Sequence, residues 1–332
     1  MITNNESILS NTNPVKKASG IERYKSYLPA AIIIVVLFVL GQILSPGFAS
    51  ARNVSNIFAQ ASILALVAIS QSLVIFVGEF GIDLSVGAIM SMSAMLMPFY
   101  TQGQASALPM AIFMVVLIGG LAGFINGTGV QIIKIPALAI TLVMATVVDG
   151  FTLAFTKGLP SKALPEVLKT VGQPLFGQVR TCIIIAVVII VIFQLVLSYS
   201  RYGKSVFLLG SNRNAAKLTG LRVNSTVIIA FTIAGMMAAF AGVIMVGYVG
   251  SSNLRMGDSY TLMSVAAVVI GGAKLSGGSG TLLGAALGSI VLILLTSVLI
   301  AAGLSTGIRT FLQGLILVMI LLFNSRAPKL RV

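Results

Sequence analysis

The sequence predicts an all-α polytopic membrane protein with about ten transmembrane helices, and two observations carry that prediction. Of 332 residues, 57% are apolar and only 8% are charged, whereas soluble domains carry roughly 25% charged residues. The apolar residues also come in runs of about 16–23, at 28–44, 57–77, 108–130 and 182–197, close to the ~20 that cross a bilayer as a helix. Helix is the expected form because lipid offers no partners to open backbone.

A polar tail, residues 1–27, comes first and carries Lys16, Lys17, Arg23 and Lys25. The apolar run after it, with Gly47-Phe48-Ala49 at its end, faintly resembles a signal peptide; we read it as a retained first span near 28–45. Further spans follow near 57–77, 82–100, 108–130, 136–156 and 181–199, and then a basic loop at about 200–225. Beyond the loop come runs near 226–249, 281–302 and 307–323. The transmembrane domain is thus 28–324, and 325–332 is a second polar tail.

Basic residues orient the chain. The N-terminal cluster, the loop cluster (Arg201, Lys204, Arg213, Lys217, Arg222) and the C-terminal cluster (Arg326, Lys329, Arg331) all belong in the cytoplasm. Both termini are therefore cytoplasmic, and an even number of spans must separate the clusters. Six precede the loop, but only three obvious runs follow it. The stretch 260–272, about 13 residues between Asp258 and Lys274, supplies the fourth as a short or half span. Lys157, Lys162, Lys169 and Arg180 then fall outside against the rule, but moving their loop inside would break parity twice.

Glycine spacing hints at an internal repeat. Gly119, Gly123 and Gly127 recur every four residues in the fourth span, as do Gly280, Gly284 and Gly288 in the ninth, each a stripe that lets helices approach closely. The two spans run in opposite directions, as expected if spans 2–5 and 7–10 are inverted repeats. Two unrelated packing stripes would look the same.

Most chemistry is excluded by inventory. With no His and a single Cys, Cys182, metal sites of His and Cys, His proton relays and internal disulfides are ruled out, and no paired carboxylates lie inside spans. Gly203-Lys204-Ser205 looks like the end of a phosphate loop, but the required glycine five residues earlier is Ser198. The stretch 277–284 misses the dinucleotide spacing because position 283 is Leu283. No cofactor is expected on this chain. Nucleic acid is not expected as a partner either, since the excess of 21 Lys and Arg over 7 Asp and Glu is spread over short loops.

The central loop is the longest charged internal segment. Gly210-Ser211-Asn212 reads as a turn and helix cap, Ala215-Ala216-Lys217-Leu218 as a short helix, and Gly220 as its stop. A short helix across the cytoplasmic face is suited to transmitting a push; a solvated basic loop is the plain alternative.

Three motifs here resemble one family. Arg201-Tyr202-Gly203-Lys204 with the run from Leu209-Gly210-Ser211-Asn212 to Leu218-Thr219-Gly220 is similar to the coupling loop of ribose-type ATP-binding-cassette (ABC) importer permeases, within the branched-chain and monosaccharide superfamily. Gly81-Ile82-Asp83-Leu84-Ser85-Val86-Gly87 resembles a second motif of that family. Ala266-Ala267-Val268-Val269-Ile270-Gly271-Gly272, running into 275–280, resembles a third. The likeness extends over about 45–323. It implies a type II ABC importer fold, a second permease copy or paralogue, a cytoplasmic ABC ATPase using ATP-Mg, and a periplasmic or lipid-anchored solute-binding protein. By the same resemblance Leu209, Gly210, Ser211, Asn212, Ala215, Ala216, Leu218 and Gly220 couple the chain to its ATPase. The expected setting is the bacterial inner membrane, and the expected cargo a small polar solute such as a monosaccharide.

Departures from the family sit within spans. Members commonly carry Arg where this chain has Asp149, and acidic residues near Thr261 and Met263. Asp149 either faces the interior opposite a cation or sits in water at the outer edge. Glu79 and Asp83 bracket a break between spans, and Asp83 with Ser85 serves either the backbone or the solute path. Asn126, with Gln60, Gln71, Ser72 and Thr141, is a generic candidate for lining that path. The rival reading is an ion-coupled secondary transporter with inverted repeats, for which Asp149 and Asp83 are the available charged ligands.

Overall fold

A computed structural model describes residues 27–79, 81–161 and 163–324. The basic clusters of both tails, and Lys162, lie outside the described residues. The remainder forms thirteen helices and one small hairpin: α1 Leu28–Leu44, α2 Ala51–Phe76, α3 Val86–Thr101, α4 Leu108–Thr128, α5 Ala137–Thr156, α6 Glu166–Lys169, α7 Thr181–Tyr199, α8 Arg201–Ser211, α9 Arg213–Leu218, α10 Val223–Val249, α11 Asp258–Ile270, α12 Leu282–Ala301 and α13 Thr306–Asn324. Among the described residues six helices (α2, α4, α5, α7, α10 and α12) are long and apolar enough to cross a membrane. α1, α3 and α11 are shorter apolar helices, and α13 has 19 residues.

Helix α2 is the central post. It is buried throughout 61–76, although its 26 residues extend about 39 Å at 1.5 Å per residue. Small residues such as Ala61, Ala65, Ala68, Ser70 and Ser72 let α7, α10, α11 and α12 close around it. α1 and α7 instead expose Val35, Ile43 and Val188, the side chains that lipid would solvate.

The packing partners exchange under the repeat expected from the sequence. α4 lies on α10 as α12 lies on α2, α3 on α10 as α11 on α2, and α3 on α5 as α11 on α13. The glycine stripes do not follow the same exchange. Gly123 on α4 meets α10, where a Cβ would lie 2.1 Å from the Phe231 carbonyl oxygen. Gly288 on α12 meets α11 instead, 2.0 Å from the Ala267 oxygen, and Gly280 precedes α12. Helix order carries the repeat; each stripe serves a local contact.

Three segments add detail to the expected organisation, and one corrects it. Gly210 and Ser211 continue α8 instead of forming a turn, so the central loop holds two helices, with Ser200 capping α8 and Asn212 capping α9 through amides at 3.0 Å. α11 has 13 residues, as short as the sequence suggests: the Gly257 amide before it donates to Ser91 Oγ at 2.9 Å, and Ser91 lies about 15 Å along α3 from its Thr101 end. In the 157–180 loop, β1 Pro174–Phe176 and β2 Val179–Arg180 form a hairpin. The Arg180 guanidinium donates to Asn56 Oδ1 and the Gly172 carbonyl, each at 2.5 Å, and lies over the Tyr248 ring, so this cation is absorbed by the protein.

Candidate functional site

The expected coupling residues gather at one end of the molecule, where three chain segments meet backbone to backbone. A Cβ on Gly210 would lie 2.0 Å from the Phe76 carbonyl oxygen and 2.4 Å from the Gly278 nitrogen. The Gly278 amide donates to that same Phe76 oxygen at 3.1 Å. Gly277, with φ +94, sits against Gly78, so only glycine satisfies both its backbone angle and its space. The end of α2, the last turn of α8 and the 276–278 loop thus form one junction, of which the glycine-rich stretch 277–280 is the third wall.

From this junction α9 projects. Leu209 and Ala216 are buried anchors, and Gly220 at φ +75 ends the helix. Leu218 is 90% exposed, an apolar side chain presented outward on a rigid support. The Tyr202 hydroxyl donates to the Thr226 carbonyl at 3.3 Å, and burial pushes that hydroxyl up from its ordinary value, so it stays a donor.

Asp83, Ser85 and Asn126 come together at the start of α3. Asp83 Oδ1 accepts from the Ser85 amide at 2.8 Å and the Ser85 hydroxyl at 2.6 Å. Asn126 Nδ2 donates to Ser85 Oγ at 3.0 Å, and the Leu84 amide to Thr141 Oγ1 at 3.1 Å. The Gln71 carboxamide is placed to donate to the Asp83 carbonyl and accept from its amide, each at 3.1 Å. All of these side chains are fully buried, as is Ser72. Gln71, Ser72, Asn126 and Thr141 therefore do not line an open passage in this chain; of the polar residues expected there, only Gln60 is exposed. The network pins α2, α3, α4 and α5 at one point.

Asp149 lies elsewhere. It is half-buried on α5, about 10 Å from the Thr156 end, within electrostatic reach of Arg255, which in turn reaches Asp258. Arg255, in the connection between α10 and α11, and Asp258, at the start of α11, are exposed, and among the described residues neither Asp149 nor Asp258 forms an ion pair. The alternative of a partner cation has a specific candidate, Arg255.

Residues 53–321 match the family described as branched-chain amino acid transport system / permease component. The chain belongs to that family. It is 33% identical over 299 residues to the autoinducer 2 import system permease protein LsrC of Escherichia coli O9:H4 (strain HS), covering 90% of this chain and 86% of that protein. It is 32% identical to LsrC of Photorhabdus luminescens, covering 90% and 89%. No solved structure matches it. Family and apolar helices together place the chain in the inner membrane as a multi-pass transport subunit.

In this permease the structure adds residues that the sequence left in the background. Arg213 donates to Glu79 and to Gln131 Oε1, while Gln131 Nε2 donates to Asn224 Oδ1 at 2.5 Å. Arg213 stands inside the coupling motif, yet its partners are 134 and 82 residues away, beyond any local pattern.

Proposed function

We propose that this permease is the membrane-spanning subunit of an ATP-driven importer for a small polar solute, a monosaccharide or sugar-like compound. Two such chains, or this one and a paralogue, enclose the path with about ten spans each and both termini in the cytoplasm. An ABC ATPase hydrolysing ATP-Mg docks on α9, and a periplasmic or lipid-anchored binding protein delivers solute to the opposite face. ATP binding pushes α8 and α9, and the passage opens alternately outward and inward. The relatives' named cargo, autoinducer 2, is one member of the class to test.

One observation carries this reading: bare Leu218 on α9, a short helix that packs on α8 and α10, with α8 in turn held by Gly210 against α2 and the 276–278 loop. A rigid mount with one exposed apolar contact suits transmission of force better than a solvated loop. Leu209, Gly210, Ser211, Asn212, Ala215, Ala216 and Gly220 build the mount. Asp149, half-buried on α5, is assigned to the path with the exposed Arg255 and Asp258, because a charge within a span is costly against lipid.

The test is solute-stimulated ATP hydrolysis in liposomes by the permease with its ATPase and binding protein, for wild type and Leu218→Asp. Stimulation that the variant loses, while it remains membrane-inserted, supports the reading. Solute uptake driven by an ion gradient without ATP hydrolysis would replace it with a secondary transporter.

A further inference from the structure

We propose that Arg213 is a positioning residue whose bridge to Glu79 and Gln131 carries movement of α9 into the α2–α3 connection and the inner ends of α4 and α10. The proposal rests on the importer reading above. The glycine junction ties α8 to α2 and the 276–278 loop by backbone contact; the Arg213 bridge adds side-chain contact to Glu79 in the α2–α3 connection and to Gln131 at the end of α4.

Both partners stand on irregular backbone. Glu79 has φ +57, a left-handed conformation that side-chain-bearing residues rarely adopt. Gln131 lies in the π-helical turn Gly129–Ile133 that closes α4, a feature that recurs at functional sites. Gln131 then passes the contact to Asn224 at the start of α10. A guanidinium can hold oxygens on two segments at once, which a lysine ammonium does without that fixed fork.

Behind the bridge is a cavity of about 210 Å³, lined in part by Gly78, Glu79, Lys134, Pro136, Arg213 and Phe231. It gives the α2–α3 and α4–α5 connections room to shift when α9 moves. The pair is also poorly placed as a stabiliser, since the Glu79 side chain is 61% exposed and exposed ion pairs contribute little to stability. Its value lies in which segments it joins.

The test needs no identified solute. Gly150 has nothing within 4 Å of a would-be Cβ, and the native Cys182 is buried, so Gly150→Cys places one accessible thiol beside Asp149 on the proposed path. Maleimide labelling of that cysteine is measured in the permease–ATPase complex in liposomes, with and without ATP and vanadate. It is repeated with Glu79→Ala, Gln131→Leu, and the exchange Glu79→Arg with Arg213→Glu.

ATP and vanadate should change the labelling rate of Gly150→Cys alone by roughly tenfold, within the usual span of coupling between sites. Glu79→Ala and Gln131→Leu should abolish that response while the complex still hydrolyses ATP and elutes intact, and the exchange should restore it in part. An unchanged response in both single variants overturns the bridge alone, as does a loss seen only with disassembly. No response in the Gly150→Cys background overturns the alternating-access reading and the bridge with it.

Discussion

Gly277 and Gly78 touch through their backbones: a Cβ on Gly277 would lie 2.3 Å from the Gly78 Cα. The contact closes the junction between α2 and the loop before α12, and Gly277 meets it with φ +94. Gly277→Ala should therefore cost about 1–2 kcal/mol for the left-handed backbone and about 1–3 kcal/mol for the overlap. Circular dichroism melting in detergent should show a lower Tm than wild type.

The glycines of α4 and α5 make opposite predictions. Gly123→Ala places its methyl 2.1 Å from the Phe231 oxygen and should part α4 from α10, at about 1–3 kcal/mol. Gly150→Ala meets open space within a helix and should be neutral or stabilising by up to about 1 kcal/mol. Melting the two variants side by side checks both signs. Equal destabilisation would contradict the packing described.

This contrast also shows what the sequence made legible. Period and composition disclosed the long spans, and the small-xxx-small spacing disclosed that Gly119, Gly123 and Gly127 pack closely. Spacing carries no information about the partner, so the stripes of α4 and α12 looked equivalent although they face α10 and α11. Likewise Asn212 and Gly220 were readable as a cap and a stop because those signals are local. α8 was not, because Gly210-Ser211 resembles a turn, and the neighbours that hold those residues helical, Phe76 and Gly278, are distant in sequence. Polar residues in spans read as candidates for a passage; that Asn126 bonds Ser85, Ser85 bonds Asp83, and Thr141 takes the Leu84 amide depends on helices distant in sequence meeting.

At Asp83 a structural role and a transport role predict different variants. Asp83→Asn keeps an oxygen for the Ser85 amide and hydroxyl, so it should fold and transport close to wild type. Asp83→Ala strands a buried donor at about 1–3 kcal/mol and should lower Tm. Transport loss in Asp83→Asn with unchanged Tm would instead place the carboxylate on the solute path.

Asp149 and Arg255 should behave as a pair. Asp149→Asn leaves Arg255 without its nearby carboxylate on α5, and Arg255→Gln does the converse. Each single change should reduce solute uptake in liposomes while expression and Tm stay near wild type, since both groups retain exposure. The exchange Asp149→Arg with Arg255→Asp restores the charge balance and should recover part of the uptake. Variants whose defects simply add would show two independent sites rather than one.

The lone thiol gives direct access to the docking face. Cys182 lies fully buried in α7, so maleimide should leave the folded wild-type chain unlabelled and modify it only after denaturation. Leu218→Cys puts one thiol at the most exposed apolar position of α9 and should label rapidly. If α9 seats in the ATPase, adding that subunit should protect Leu218→Cys by tenfold or more, a change of about 1.4 kcal/mol in occupancy terms. Protection that fails while the two proteins co-purify would move the docking contact off α9 and leave Leu218 for another partner.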